Sequence, residues 1–187
     1  MKTCTVLFFT VLFLQLSAQV DKYAYTYVCT KGKIHFFSGT MVEDIEANSN
    51  SGVCVLNTQT KRVNAIVKHS TFALKDKLMQ EHFNENYVES DKYPKSTYKG
   101  KITNFSDVDL SRDGSYPVKI SGKLTIHGET KEIPSKGTFV VKDGKVSGMA
   151  SFTITLSDFD IEIPDVVKDK ISETVNIHVA VWLDPLP

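Results

Sequence analysis

The sequence predicts a mainly β domain, a sandwich or barrel of about eight to ten antiparallel strands with one or two short helices between them. Three observations carry this. Apolar and polar residues alternate over Val118 to Ile126, Ala150 to Ser157 and Val175 to Leu183, which is the period of a strand buried on one face. Turn dipeptides punctuate these runs at Asp113-Gly114, His127-Gly128 and Asp143-Gly144. The best helix candidate, Lys75 to Phe83, has Leu74, Leu78 and Met79 or His82 at helical spacing and contains no Gly or Pro. A barrel of eight strands would close its own edges and leave an interior just wide enough for side chains or for one small ligand.

The N-terminus has the layout of a secretory signal peptide. Lys2 supplies a charge, Val6 to Leu14 is almost wholly apolar, and Ser17-Ala18 offers a small residue for cleavage. The apolar run is too short for a membrane span of about 20 residues. Cys4 lies ahead of it, away from the cleavage point, so it is not a lipoprotein cysteine. Cleavage after Ala18 leaves residues 19–187 as a single domain with a sizeable core. Cys29 and Cys54 remain. In an oxidising compartment they can form one disulfide, whose loop of about 25 residues would contribute about 3.5 kcal/mol. They can equally be two buried thiols acting as small hydrophobes.

Taken in order, Tyr23 to Cys29 is aromatic and β-branched and reads as a strand. Thr30-Lys31-Gly32 reads as a turn and Lys33 to Ser38 as the returning strand. Met41 to Asn48 is short and irregular, and Asn48 to Gly52 is a polar turn. Val53 to Asn57 and Arg62 to Lys68 are strands. After the helix, Asn84 to Pro94 is a polar loop that Pro94 terminates. Ser96 to Phe105, Tyr116 to Ile126, Gly137 to Lys142 and Val146 to Ser157 are strands. Asp165 to Ser172 is a short helix after Pro164, and Val175 to Leu183 closes the chain.

Lys+Arg and Asp+Glu are both 22, so nothing favours nucleic acid or an anionic membrane surface. No Gly-x-Ser-x-Gly elbow, His-Glu-x-x-His or Cys-x-x-Cys spacing occurs. His35, His69 and His178 stand singly, and Glu81, His82 and Glu85 would need further ligands to hold a metal. No catalytic residue, metal or cofactor is therefore expected. The apolar faces are the remaining candidate: Phe36, Phe72, Tyr98, Ile102 and Ile120, with Leu124, Ile126, Phe139, Phe152 and Ile154. They form either a plain core or the wall of a pocket.

Several stretches resemble the YceI-like family of secreted bacterial proteins. They are MQEHFNENYVESDKYP (Met79 to Pro94), the signature LTIHGETK (Leu124 to Lys131) within Phe105 to Ile133, ASFTITLSDFDIEIP (Ala150 to Pro164), and the last strand. The resemblance implies an antiparallel eight-stranded lipocalin-like barrel. It implies that the apolar residues above line a cavity for an isoprenoid-like lipid, a polyprenyl chain or an isoprenoid quinone. His127 would stand at the mouth, near a headgroup, or would simply serve the turn. Glu43 to Ala47 looks like family versions from Bacteroidota, implying a Gram-negative source and a periplasmic or secreted protein, monomer or dimer. The competing expectation is an exported interaction module with a side-chain-filled core and no cargo.

Overall fold

The computed structural model describes residues 25–186, so the expected signal peptide lies outside the described residues. Among the described residues nine strands form one antiparallel sheet: β1 (Thr26–Gly39), β2 (Asp44–Asn57), β3 (Arg62–Lys68), β4 (Lys95–Ile102), β5 (Gly114–Ile126), β6 (Glu129–Glu132), β7 (Ser135–Lys142), β8 (Lys145–Thr155) and β9 (Thr174–Leu186). Eight of them close a barrel in the order β1-β2-β3-β4-β5-β7-β8-β9, with β9 pairing back onto β1. The strand β6 stands outside this circuit. One edge of β5 pairs with β7 from Gly114 to Ile120 and with β6 from Lys123 to Ile126.

The expected turn at Thr30-Lys31-Gly32 is a bulge inside one continuous strand. The β1–β2 register shifts on either side of Gly32, which stands opposite Gly52. Extra residues and glycines bend a long strand here rather than reverse it. Asn48 to Gly52 likewise lies inside β2. Its inward Ser49 is 1% exposed, with its hydroxyl 2.7 Å from Thr71 Oγ1, so a partner satisfies the buried polar group and the strand continues. The strand β6 escaped notice because all four of its residues are exposed and show no alternation.

The helix is shorter than expected. α1 (Lys77–His82) is capped by the Asp76 carboxylate, which accepts from the Met79 N–H at 2.9 Å. A wider π turn, Phe83–Tyr87, continues it. The second expected helix is a 3-10 turn at Asp165–Val167 followed by irregular chain. Both two-residue hairpins obey local sequence. Asp143 and Gly144 (φ 51° and 72°) and His127 and Gly128 (φ 51° and 85°) all take the left-handed conformations that a tight reversal of twisted strands requires.

The expected parities of β5, β8 and β9 match the burial: Val118, Leu124, Ile126, Ile154, Val175 and Leu183 are all buried. Inside the barrel the apolar side chains divide into two groups. One, at the end where β1 begins, packs Tyr27, Cys29, Cys54, Leu56, Ile102, Val118, Phe139, Val141, Val146 and Leu183. The other, towards the opposite end, packs Leu124, Ile126, Ile154, Phe159, Ile161 and Val175.

Candidate functional site

The second group borders a partly open cavity of about 300 Å³. Seven strands contribute inward residues: Ile34 and Phe36 from β1, Leu124 and Ile126 from β5, Phe152 and Ile154 from β8, Val175 and Ile177 from β9, and one each from β2, β3 and β4, namely Ile45, Val67 and Ser96. The segment after β3 adds Phe72 and Leu74, and the helix with its π turn adds Met79, His82, Phe83 and Tyr87. Residues of the 156–171 segment, including Ile161, Val167 and Ile171, complete the rim. Phe36, Phe72 and Phe83 form an aromatic cluster with ring centroids 5.5 to 5.8 Å apart. It seats the helix over the barrel end.

Few polar groups reach this space. Glu43, His82 and Lys170 are the charged or titratable members nearest the rim. Ser38 is occupied by Ser172, whose N–H it accepts at 3.1 Å. His69 is 2% exposed, with Nε2 2.7 Å from Ser96 Oγ. Its Nδ1 makes no hydrogen bond of proper geometry, although the Tyr93 carbonyl lies near the ring. Burial, only partly offset by that carbonyl, holds His69 below the usual imidazole range. It therefore stands in the wall as a neutral ring. Among the described residues, no group of three or more His, Cys, Asp or Glu could hold a metal ion.

The apolar residues singled out from the sequence fall in two places. Phe36, Phe72, Leu124, Ile126, Phe152 and Ile154 lie on the cavity wall. Ile102 and Phe139 belong to the packed end, with Ile120 against them, so they are core rather than wall. Tyr98 packs against the second group, stacks on Phe152 with centroids 6.3 Å apart, and is not on the wall. Alternation places a residue inside the barrel but not at a depth along it. The wall also takes Met79 and Phe83, which repeat at i, i+4 on the expected helix but are not among the residues expected to line a cavity. Ile161 comes from irregular chain and carries no periodic signal.

His127 does not line the cavity. Its Nδ1 is 3.2 Å from the Phe159 carbonyl and its Nε2 3.0 Å from Glu89 Oε2, and Tyr93 packs edge-on against its ring at 4.7 Å. It clasps three segments: the 83–94 loop, the β5–β6 turn, and the 3-10 turn Leu156–Phe159. The hydrogen bond from His127, with help from Lys92, holds the Glu89 carboxyl below its ordinary range.

Cys29 and Cys54 face each other across β1 and β2, both buried, and both thiols are free. Of the two possibilities left by the sequence, the structure holds the unbridged one. Burial, then the neighbouring Cys29, pushes the Cys54 thiol up to about 12, which keeps it protonated and unreactive.

Comparison with known proteins places this geometry. A UPF0312 protein of Vibrio cholerae is 26% identical over 154 residues, covering 79% of this chain and 72% of its own. The fold is similar to that of a polyisoprenoid-binding domain from Saccharophagus degradans implicated in plant cell wall breakdown, with a TM-score of 0.74, 13% identity, and coverage of 88% of this chain and 100% of that one. It is also similar to Burkholderia cenocepacia BcnA, with a TM-score of 0.66, 16% identity, and coverage of 82% and 96%. The Campylobacter jejuni YCEI protein aligns over the whole of both chains at 19% identity and a TM-score of 0.53. The model of the YceI-like domain matches residues 14–183. With its closed antiparallel eight-stranded barrel and a match along nearly its whole length, this chain belongs to the YceI-like family.

Proposed function

We propose that this protein is an exported carrier that holds an isoprenoid-like lipid, a polyprenyl chain or an isoprenoid quinone, in the hollow end of its barrel. One observation carries the reading: a cavity walled by Ile34, Phe36, Leu124, Ile126, Phe152, Ile154 and Ile177, with no charged side chain among them. Such a wall favours a hydrocarbon tail, and the charged or titratable Glu43, His82 and Lys170 stand at the rim rather than among these residues. Each buried CH₂ contributes about 0.8 kcal/mol, so about ten buried carbons supply roughly 8 kcal/mol before the costs of association. Affinity can thus come from the tail alone. The similar Saccharophagus degradans domain is described as polyisoprenoid-binding, which agrees with this chemistry.

Export is supported by the leader pattern of residues 1–18, with Lys2, the apolar run Val6 to Leu14 and the small Ala18. No helix among the described residues is long and apolar enough to cross a membrane. The Ser96 hydroxyl and the His69 ring, 2.7 Å apart, stand in a wall that is otherwise almost wholly apolar, and the chemistry we assign is binding rather than catalysis. Protein purified from its native host, extracted with organic solvent and analysed by mass spectrometry, should yield a prenyl-chain lipid at near-stoichiometric amounts. Repeated recovery of no lipid, together with no binding of added prenyl chains, would overturn the proposal in favour of a cargo-free interaction module.

A further inference from the structure

The barrel interior can be followed tier by tier. Beneath the cavity wall, inward positions on five strands are occupied by Ala65, Gly100, Gly122, Gly137 and Ala150. None carries more than a methyl group. Tyr98 enters this tier from β4, while on the far side Val179 of β9 and Ile34 of β1 stand in register with Ala150. The Tyr98 ring lies flat on the wall: a Cβ at Gly122 would stand 2.5 Å from Tyr98 Cζ, and one at Gly100 would stand 2.7 Å from Cε1. Its hydroxyl donates to the Ile133 carbonyl at 3.1 Å and lies 3.3 Å from Ser135 Oγ. The ring is therefore held at both ends, by the β4 backbone and by the β6–β7 junction. Phe152, itself on the cavity wall, stacks on it at an interplanar angle of 22°. Below this tier come Ile102, Val118 and Phe139 of the packed end.

We infer that Phe152, backed by the anchored Tyr98 ring, is a floor that sets the length of hydrocarbon chain the cavity accepts. The inference rests on the lipid-binding reading above and adds a specificity determinant to it. The small residues of β4 and β5 leave their side of the tier to the Tyr98 ring. Without the ring, Phe152 would lose its backing and could move aside, deepening the hollow towards Ile102. With it, a chain entering from the open end meets an anchored aromatic plane, and any further length stays in water. Burying a carbon chain gains affinity in proportion to the surface removed from water, so units that cannot pass the floor gain almost nothing.

The test is a series of prenyl alcohols of two, three, four and five isoprene units, titrated calorimetrically into the purified protein and its Tyr98→Ala variant. For the wild type, each added unit should tighten binding at least tenfold up to a break within the series, and less than twofold beyond it. In Tyr98→Ala the break should move to a longer alcohol. Tyr98→Phe, which keeps the ring, should leave the break in place. Should Tyr98→Ala not fold, Tyr98→Leu takes its place. Crystals of the wild type with the shortest and longest alcohols give an independent reading, in which both chain ends stop against Phe152 and the Tyr98 ring behind it. An affinity that rises through all four lengths, the same break in wild type and variant, or a chain threading past Tyr98 would overturn the floor while leaving lipid binding intact. No binding of any alcohol would overturn the lipid-binding reading and the floor with it.

Discussion

The two ends of this barrel use the same backbone for opposite purposes. At the end where β1 begins, Leu56 and Ile102 are fully buried in a continuous apolar core. At the other end, Phe36, Phe152 and Ile177 point inward by the same alternation, yet they border empty space. The difference lies in the identity of the inward residues and in what covers the opening. Large side chains meet across the closed end. The hollow end is roofed from outside by a one-turn-and-a-half helix and by the irregular 156–171 segment, neither of which inserts enough side chain to fill it. Stability therefore belongs mainly to one end and ligand capacity to the other.

This division can be broken by matched substitutions. The largest contrast should come from charge. Ile102→Asp places an unpaired carboxylate where no water reaches and should abolish folding. Phe152→Asp sits at the cavity, where the carboxylate can be hydrated; it should fold, with a lower melting temperature, and lose prenyl-chain binding. Circular dichroism and calorimetry on both variants decide it, and a Phe152→Asp protein that still takes up a prenyl chain would show that the cavity is not the binding site. Truncations should follow with a smaller gap. Leu56→Ala should cost about 2–5 kcal/mol in chemical denaturation. Phe36→Ala should cost roughly half as much, because its ring already lacks neighbours on one side, while weakening chain binding more than tenfold.

The smaller effects concern the polar supports of the hollow end. His69 has its pKa depressed by burial, so the unfolded chain binds its proton more readily than the folded one. Stability is then fully present above about pH 6.5, the ordinary imidazole value, and is lost as pH falls through and below it. Thermal melts between pH 7.5 and 5.5 should show this fall, and His69→Gln should flatten it. Glu89 is depressed mainly by its hydrogen bond to His127, so its contribution lies lower, being lost as pH falls below the ordinary carboxylate range. Glu89→Gln should have the smallest effect of all on melting. Its signature should be faster amide exchange in the 83–94 loop, with the packed end unchanged.

The long strands of the second half of the chain, β6 apart, are legible because each has one wet face and one dry face. Ile154 and Val175 on one side, Thr153 and Asn176 on the other, follow period two without exception. The first two strands were harder to read. Thr30-Lys31-Gly32 and Asn48 to Gly52 have turn composition, but the pairing of β1 with both β2 and β9 carries the chain through as bulged strand. Local propensity yields there to hydrogen bonds made with distant partners. The cavity was only half legible for a related reason. Phe139 and Phe152 have the same local pattern, but one packs at the closed end and the other at the open one. Depth along a barrel is set by strand stagger, a property of the closed sheet and not of any single strand. His127 stood out by its neighbours in the sequence; the carboxylate of Glu89, 38 residues away, gives it its place.

The most direct test of the central claim is a crystal structure of protein purified from its native host without delipidation. The account predicts elongated density in the hollow end, in contact with Phe36, Leu124, Phe152 and Ile177 and ending above Tyr98, with none at the Leu56–Ile102 end. Side chains collapsed across that space, or a cavity holding only ordered water, would contradict it.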